Sequence, residues 1–280
     1  MKMLILSDLH ISPEYVTSQF KLEKYKRILK DQIDVDYDLV LISGDVFEHR
    51  VPHYVNVFET LQYLFDNHPV VFCLGNHEFA YEDYQSVLKT YKAQYEVFKS
   101  KWPRGQICCL DICGHYDFEN SRIVGNAFWY DWSLNNCRTL MKGEIIDGWL
   151  DATIENFDPL LEHENCKQQI FDNIDPTKNM ILLTHCVPHE SLNAFNIDQP
   201  FSPFNSYSGV KDFLKEIKDK NFKFAFCGHT HRKANKDIYG IIGFNLGNDY
   251  YFKNFKIDWT LFDVNENLEI NQFFQSKSFS

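Results

Sequence analysis

Short, continuous runs of apolar residues recur along the first part of the chain and again near residue 180. Such runs are typical of strands that are buried on both faces of a sheet. Between them, apolar residues recur every three to four positions, which is the period of an amphipathic helix. The pattern predicts strands at Met3–Ser7, Asp38–Ser43, Val70–Leu74, Gln106–Ile112, Arg122–Phe128, Met180–Thr184 and Lys223–Cys227. It predicts helices at Phe20–Gln32, Val55–Phe65, Tyr81–Phe98 and Val210–Lys218, and partly helical structure from Asp151 to Phe171.

The tail from Ile238 to Phe274 has a different pattern, in which large apolar residues alternate with polar ones. A period of two indicates antiparallel strands with one exposed face. Together, the two patterns predict an α/β fold, a four-layer α-β-β-α sandwich of two mixed sheets with helices on the outer faces. No repeat, low-complexity segment or flexible linker divides the chain, so we expect a single domain over residues 1–280.

Composition adds limits on location and partners. Hydrophobic residues make up 44% and charged residues 24% of the chain, which is typical of a soluble globular protein. The apolar start is too short for a signal peptide, and no apolar run approaches the ~20 residues that span a bilayer. We therefore expect a cytoplasmic protein without membrane insertion. The net charge of −11 disfavours nucleic-acid binding, because an acidic surface repels a phosphate backbone.

Side chains that can bind metals follow directly after five of the predicted strands, usually beside a glycine. In α/β sheets, ligands bind at the carboxyl ends of the strands, so we expect these side chains to converge. Burying so many polar groups without partners costs several kcal/mol of folding free energy, and metal coordination removes that cost. The converging side chains are Asp8, His10, Asp45, Asn76, His185, His229 and His231.

Seven such ligands are too many for one zinc ion, which typically takes four. They suit two divalent ions that share a bridging carboxylate. Imidazole and carboxylate donors point to manganese, zinc, iron or nickel rather than calcium, and we favour manganese. The eight cysteines form no Cys-x-x-Cys pair, which argues against a thiolate zinc site. Two ions about 3.5–4 Å apart can clamp a phosphoryl group during its transfer.

The order of these clusters resembles that of the calcineurin-like metallophosphoesterase superfamily. It reads Asp-x-His, Gly-Asp, Gly-Asn-His-Glu, His and Gly-His-Thr-His, and it runs from Asp8 to His231. The resemblance also implies the four-layer sandwich. By the same resemblance, His77 would protonate the leaving oxygen or stabilise the transition state. The implied ligands are Asp8, His10 and His231 for one metal, Asn76, His185 and His229 for the other, and Asp45 as the bridge.

The implied activity is hydrolysis of a phosphomonoester or phosphodiester by attack of a metal-bound hydroxide. We expect a small phosphoester or nucleotide substrate. The protein phosphatases of this superfamily carry Gly-Asp-x-x-Asp-Arg-Gly, whereas Gly44–Arg50 reads GDVFEHR. The Arg that follows Gly-Asn-His-Glu in those enzymes is replaced by Phe79-Ala80-Tyr81. These departures argue against a protein substrate.

Two other functions stay open. Gly-Asp-Val-Phe followed by a Pro is similar to the DNA-repair nucleases of the superfamily, which suggests a metal-dependent exonuclease or endonuclease. Glu78 replaces their usual Asp, however, and little chain remains after His231 for their capping domain. The other alternative is a non-catalytic scaffold that binds a partner protein. Such scaffolds often lose metal ligands, and here all seven are present.

Two flanking segments could shape a substrate site. Glu48, His49 and Arg50 either line its mouth or begin a solvated loop. Asn193–Gly209 contains several Phe and Tyr residues and forms either a flap over the substrate or an ordinary loop. His189 is expected at the surface.

Overall fold

The strands form two mixed six-stranded sheets. The computed structural model describes residues 1–135, 141–193, 202–247 and 257–275. The first sheet has the order β12-β11-β1-β2-β3-β4, and the second has the order β5-β6-β7-β8-β10-β9. The first comprises β1 (Lys2–Leu6), β2 (Leu39–Ser43), β3 (Val70–Cys73), β4 (Ile107–Cys109), β11 (Thr260–Val264) and β12 (Ile270–Gln275). The second comprises β5 (His115–Phe118), β6 (Ser121–Asn126), β7 (Asn179–Thr184), β8 (Phe222–Cys227), β9 (Ala234–Ile238) and β10 (Ile241–Asn245).

Each sheet has a parallel centre, with antiparallel strands at one edge of the first sheet and at both edges of the second. Strands β1 to β4 pair in parallel, and β11 and β12 join in antiparallel fashion beside β1. In the second sheet β6, β7, β8 and β10 are parallel, whereas β5 and β9 are antiparallel at the two edges. The carboxyl ends of the parallel strands therefore define one end of each sheet, where a ligand site is expected.

Helices connect the strands, and the four longest of the described helices begin where a side chain accepts a hydrogen bond from the first backbone N–H groups. Asn56 and Asp158 each accept two such hydrogen bonds, at the starts of the third and seventh helices. The helices are α1 (Pro13–Val16), α2 (Gln19–Gln32), α3 (Val57–Leu64), α4 (Asn76–Phe79), α5 (Tyr84–Lys101), α6 (Leu110–Cys113), α7 (Pro159–Asp172) and α8 (Leu214–Ile217). Short 3-10 turns lie at Val51–His53, Leu150–Thr153, Glu190–Leu192 and Pro203–Tyr207. None of the described helices is both long and apolar enough to cross a membrane.

Successive side chains of a strand point to opposite faces, so each sheet contributes to two apolar layers. One layer lies between the sheets, and the other packs each sheet against helices. The layer between the sheets includes Met3, Ile5, Leu39, Leu41, Val71, Ile123, Ile181, Leu183, Phe224, Phe226 and Phe262. The outer layers include Leu4, Leu6, Val40 and Ile42 with Tyr25, Leu29, Phe58 and Leu61, and also Val124 and Leu182 with Ile170. The predicted four-layer α/β sandwich is confirmed.

Some element boundaries differ from the prediction. The strand expected at Gln106–Ile112 ends at Cys109 and turns into α6. This turn lets the Asp111 carboxylate accept hydrogen bonds from the N–H groups of Leu74 (2.7 Å) and Ala127 (2.9 Å). Asp111 therefore joins the loop after β3, in the first sheet, to the loop after β6, in the second.

The helix expected at Val210–Lys218 is shorter than predicted. Only Leu214–Ile217 is α-helical, because the Phe213 N–H, which would bond the Gly209 carbonyl in the predicted helix, instead bonds the carbonyl of Pro188 at 3.0 Å. In the tail, β10 pairs with β9 in antiparallel fashion but also extends the parallel part of the sheet beside β8. A strand with polar and apolar alternation can lie in parallel when it is near the edge of a mixed sheet.

Candidate metal centre

The carboxyl ends of five parallel strands bring all seven predicted ligands together. In the first sheet, β1, β2 and β3 precede Asp8, His10, Asp45 and Asn76. In the second sheet, β7 and β8 precede His185, His229 and His231. Donor atoms of Asp8, His10, Asp45 and His231 lie within 4.8 Å of one another. We call Asp8, His10 and His231 the Asp8 group, and Asn76, His185 and His229 the Asn76 group.

Asp45 lies between the two groups. Its Oδ2 atom is 3.8 Å from Nε2 of His10, in the Asp8 group. The same oxygen is 3.4 Å from Nε2 of His185, in the Asn76 group. One carboxylate therefore faces both groups, which is the arrangement expected of a bridge.

The backbone at this end of the sheets adopts an uncommon conformation. Five of the seven residues have φ in the left-handed region: Asp8 (51°), His10 (44°), Asp45 (47°), His229 (69°) and His231 (52°). Such dihedrals cost about 1–3 kcal/mol each in a residue with a side chain and tend to cluster at functional sites. Backbone hydrogen bonds hold two of these turns, from Asp8 N–H to the Gly44 carbonyl (3.1 Å) and from His10 N–H to the Asp45 carbonyl (2.9 Å).

Two glycines allow the side chains to approach so closely. A Cβ atom at Gly44 would overlap the ring of His185, and one at Gly75 would overlap Oδ1 of Asp45. Gly44 also has φ of +77°, which other residues rarely adopt. The Gly-Asp and Gly-Asn-His-Glu clusters therefore need their glycines for space around the centre.

Backbone carbonyls orient both imidazoles of the Asn76 group. Nδ1 of His185 lies 3.0 Å from the Ser43 carbonyl, and Nε2 of His229 lies 2.9 Å from the Tyr207 carbonyl. Since a carbonyl only accepts, both of these nitrogens carry the proton. When both rings are neutral, the other two nitrogens present lone pairs to each other at 3.1 Å. Two lone pairs repel unless a cation lies between them.

A buried carboxylate orients the third member of this group. The Asn76 Nδ2 donates to Oδ1 of Asp151 at 2.8 Å, so the Asn76 Oδ1 faces His185 Nε2 at 3.1 Å. Asp151 is fully buried and also accepts hydrogen bonds from Tyr130 (2.7 Å) and Trp149 (2.9 Å). Burial nevertheless raises the pKa of Asp151. Asp151 follows no strand, so the strand pattern of the sequence does not point to it. Its one signal is an acidic residue in the apolar run Trp149-Leu150-Asp151-Ala152.

Glu48 plays the corresponding part beside the Asp8 group. Its carboxylate lies 3.2 Å from Nδ1 of His10 and 3.3 Å from Nδ1 of His77. Partial burial raises the pKa of Glu48, but the hydrogen bonds from these two imidazoles outweigh it and lower the pKa to about 2. Of the two interpretations left open for Glu48, the structure supports the one that places it at the site.

His77 lies beside Asp45 rather than within either group of ligands. Its backbone N–H donates to Asp45 Oδ1 at 2.9 Å, and its Nε2 lies 3.9 Å from Asp45 Oδ2. Burial lowers the pKa of His77, but the carboxylates of Asp45 and Glu48 outweigh this effect and raise it to about 9. A protonated imidazole next to the Asp45 carboxylate is suited to donate a proton.

Glu78, the last residue of the Gly-Asn-His-Glu cluster, stabilises the backbone around the centre. Its carboxylate accepts hydrogen bonds from the N–H groups of Phe47 and Gly75, both at 2.8 Å. Burial and the nearby Asp45 raise the pKa of Glu78 to about 8. The side chain thereby ties the turn after β2 to the turn after β3, which positions Asp45 against Asn76.

The charges at the centre fit a bound cation. Burial opposes ionisation of Asp45, but His185 and His77 hold its pKa well below the usual value. Burial lowers the pKa of His185, but Asp45 raises it to about 10, whereas burial and His185 lower the pKa of His229 to about 3. A proton on His185 therefore lies between the two facing nitrogens, His185 Nε2 and His229 Nδ1. Asp45 Oδ2 is buried and accepts no hydrogen bond from any residue that the structure describes. Metal ions would satisfy this oxygen and the facing nitrogens.

Other residues from the sequence analysis lie elsewhere. His189 contacts Ser191 and lies 3.6 Å from Asp212, away from both groups. The segment Asn193–Gly209, for which a flap and an ordinary loop were both left open, lies partly outside the described residues, at 194–201. Its described part, the 3-10 turn Pro203–Tyr207, packs on Trp149, with ring centroids of Tyr207 and Trp149 5.3 Å apart. This segment contributes the carbonyl that holds His229, which sequence reasoning did not foresee.

Comparisons with known proteins agree with this architecture. The structure of phosphopantetheinyl hydrolase from Mycobacterium tuberculosis superposes with a TM-score of 0.57 at 14% identity, covering 89% of this chain and 90% of that one. TT1561 of Thermus thermophilus gives 0.56 at 14% identity, covering 98% and 97%. A dimetal phosphatase from Danio rerio gives 0.53 at 12% identity, covering 99% and 98%. At these identities the likeness shows the fold alone.

Sequence comparisons address the family. No curated protein sequence matches the chain significantly. The family model for calcineurin-like phosphoesterase matches residues 1–233, which include all seven candidate ligands. The resemblance seen in the sequence is thereby confirmed, and the chain belongs to the calcineurin-like phosphoesterase family.

Proposed function

We propose that the chain is a binuclear metal-dependent phosphoesterase that hydrolyses a small phosphoester or nucleotide. The observation that carries the proposal is Asp45. This buried carboxylate faces two groups of metal-capable side chains and has an oxygen without a hydrogen-bond donor among the described residues. A pair of ions bridged by one carboxylate is the arrangement that suits phosphoryl transfer.

The family resemblance implies the ligands, and the grouping of their donor atoms supports this assignment. Asp8, His10 and His231 would hold one ion, and Asn76, His185 and His229 would hold the other, with Asp45 shared. When bound, divalent ions lower the pKa of a coordinated water and neutralise charge on phosphate oxygens. Manganese remains our preferred ion, because imidazole, amide and carboxylate donors without thiolate suit it.

His77 is the proposed proton donor. Hydrolysis breaks the bond between phosphorus and the leaving oxygen, water supplies the new oxygen on phosphorus, and the leaving oxygen takes up a proton. His77 has the charge to supply that proton, and Glu48 fixes its ring through Nδ1. Its Nε2 is then the atom that points toward the centre, 3.9 Å from Asp45.

The test combines metal analysis with a panel of phosphate esters. Chelated protein is reloaded with manganese, zinc, iron or nickel and assayed on phosphomonoesters, phosphodiesters, nucleotides and DNA. We expect two ions per chain and turnover of small esters only after reloading. Asp45→Asn should reduce turnover by roughly 1,000-fold, because charge stabilisation by metals contributes several kcal/mol. Asp147→Asn, an exposed carboxylate in the chain, is the matched control.

Turnover by metal-free protein at the reloaded rate would contradict the proposal, and so would the absence of turnover on every ester after reloading. Activity on DNA alone would favour the nuclease alternative. The expected single domain and cytoplasmic location stay predictions.

A further inference from the structure

A cavity of about 270 Å³ opens at the carboxyl ends of β1, β2 and β3. It is lined by Pro13, Glu48, His49, Arg50 and Tyr81. The turns that carry these residues are bonded to one another, since the Glu48 N–H donates to the Ile11 carbonyl at 3.1 Å. The cavity lies below the usual volume of a complete ligand site, about 300–1,000 Å³, so it fits one part of a substrate.

Glu48 connects this cavity to the metal centre. It forms one wall of the cavity, and the same carboxylate bonds His77. The Glu48 carboxylate also lies 3.2 Å from Nδ1 of His10, so the cavity adjoins the metal centre. The part of a substrate that is attached to a phosphate at the centre can therefore occupy the cavity.

Arg50 provides the positive charge of the cavity. The residue is exposed, and within the described parts of the chain no side chain forms an ion pair or hydrogen bond with its guanidinium. The chain has a net charge of −11, so a guanidinium without an ion pair beside the proposed phosphate site points to an anionic ligand. Arg binds phosphate through two parallel hydrogen bonds. In the proposed function the metal ions bind the scissile phosphate, so that phosphate does not need Arg50. Arg50 is thus available for a second anionic group.

Tyr81 provides an aromatic surface. Its side chain is 60% exposed, although its φ of 60° and a hydrogen bond from its N–H to Thr153 fix the backbone. The ring packs against His49, with centroids 5.2 Å apart. An exposed ring that is supported from behind can stack on a planar base, a contact that contributes about 1–3 kcal/mol.

We propose that this cavity binds the leaving group of a nucleoside diphosphate, with Arg50 on the phosphate next to the scissile one and Tyr81 stacked on the base. The proposal rests on the phosphoesterase function above. In that hydrolysis the bond between the terminal phosphorus and the bridging oxygen breaks. Phosphorus takes the hydroxyl of water, and the leaving oxygen of the nucleoside monophosphate takes the remaining proton.

Calorimetric titration of the manganese-loaded protein tests the cavity with ligands that resist hydrolysis. The ligands are α,β-methylene-ADP, methylenediphosphonate and orthophosphate, which carry two phosphorus groups and a base, two groups alone, and one group. Arg50→Ala should weaken the first two roughly tenfold and leave orthophosphate unchanged. Tyr81→Leu should weaken only the nucleotide, by about five- to tenfold.

Two matched variants serve as controls. Arg104→Ala removes an exposed Arg ahead of β4, at the opposite end of the sheet. Tyr239→Leu removes a Tyr that is 49% exposed and also has positive φ, 57°. Both should bind all three ligands as the wild type does.

The outcomes separate the two proposals. If wild-type protein hydrolyses esters but binds the nucleotide no better than methylenediphosphonate, the cavity is not a base site and the phosphoesterase function stands. Equal behaviour of Arg50→Ala and Arg104→Ala would likewise overturn the part assigned to Arg50. If no ester is hydrolysed, the proposed function falls, while the titrations still decide on the cavity.

Discussion

The two groups of the centre are held in different ways. In the Asn76 group, the partners are the carbonyls of Ser43 and Tyr207 and the carboxylate of Asp151, all on fully buried residues. In the Asp8 group, His10 depends on Glu48, whose side chain is 28% exposed, and His231 is itself 15% exposed. Buried partners lose little of their orientation to solvent. We therefore expect the Asn76 group to bind its ion more tightly and the Asp8 group to exchange its ion more readily.

The largest effect should come from a change that disturbs both groups at once. In Gly75→Ala, the new Cβ meets Oδ1 of Asp45 and must displace the shared carboxylate. We expect turnover to fall by roughly 1,000-fold and the metal content to drop below two ions per chain. Gly243→Ala is the control, since its Cβ meets only the ends of flexible side chains, Leu192 at 2.9 Å and Ile238 at 3.5 Å. Equal metal content and turnover in the two variants would argue against the shared bridge.

A second variant sharpens the comparison by separating proton donation from metal binding. His77→Ala should reduce the turnover of alkyl esters by roughly 100-fold but that of an activated aryl ester by only about tenfold, because only the poor leaving group needs a proton. Metal content should stay at the wild-type level. An equal fall for both esters would argue against His77 as the proton donor and suggest that it only orients the substrate.

A third variant addresses the Asn76 group alone. Asp151→Asn keeps the size of the side chain but cannot accept hydrogen bonds from Asn76, Tyr130 and Trp149 together. We expect the affinity for one ion to fall by about 10–100-fold, while the other ion is retained. Metal titration followed by mass spectrometry measures this change, with Asp147→Asn as the control in the same loop. Loss of both ions in parallel would mean that the two groups are not independent.

The smallest effect is expected from the matching change in the Asp8 group. Glu48→Gln removes the charge that His10 and His77 share, but Glu48 is partly exposed, so water can replace part of the interaction. We expect about tenfold weaker binding of one ion, near the lower limit for such supporting residues. If Glu48→Gln weakened metal binding more than Asp151→Asn does, the Asp8 group and not the Asn76 group would be the one that depends more on its supporting carboxylate.

The sequence was most informative where chemistry follows directly from a strand. Asp8, Asp45 and His185 could be placed because each follows a buried apolar run, and parallel strands align their carboxyl ends. Asp151 and Tyr207 could not be foreseen. Their contacts span 75 residues to Asn76 and 22 residues to His229, and they come from irregular segments without a periodic pattern.

In the fold, too, features set by local apolar runs could be predicted, whereas those set by distant contacts could not. The strand lengths and the four layers follow from apolar runs, because burial on both faces leaves a clear pattern. The predicted end of β4 and the predicted length of α8 were wrong, because hydrogen bonds to distant residues decide them: that of Leu74 N–H to Asp111, and that of Phe213 N–H to Pro188. A local pattern contains no information about such long-range partners.

Each group of ligands, counted with Asp45, draws on both sheets, and this has a mechanical consequence. Asp8, His10, Asp45 and Asn76 follow strands of the first sheet, whereas His185, His229 and His231 follow strands of the second. A bound ion therefore acts as a cross-link across the apolar layer, in addition to the link that Asp111 makes. Chelation should thus quicken amide hydrogen exchange first at the ends of β7 and β8, and leave the far ends of the same strands protected.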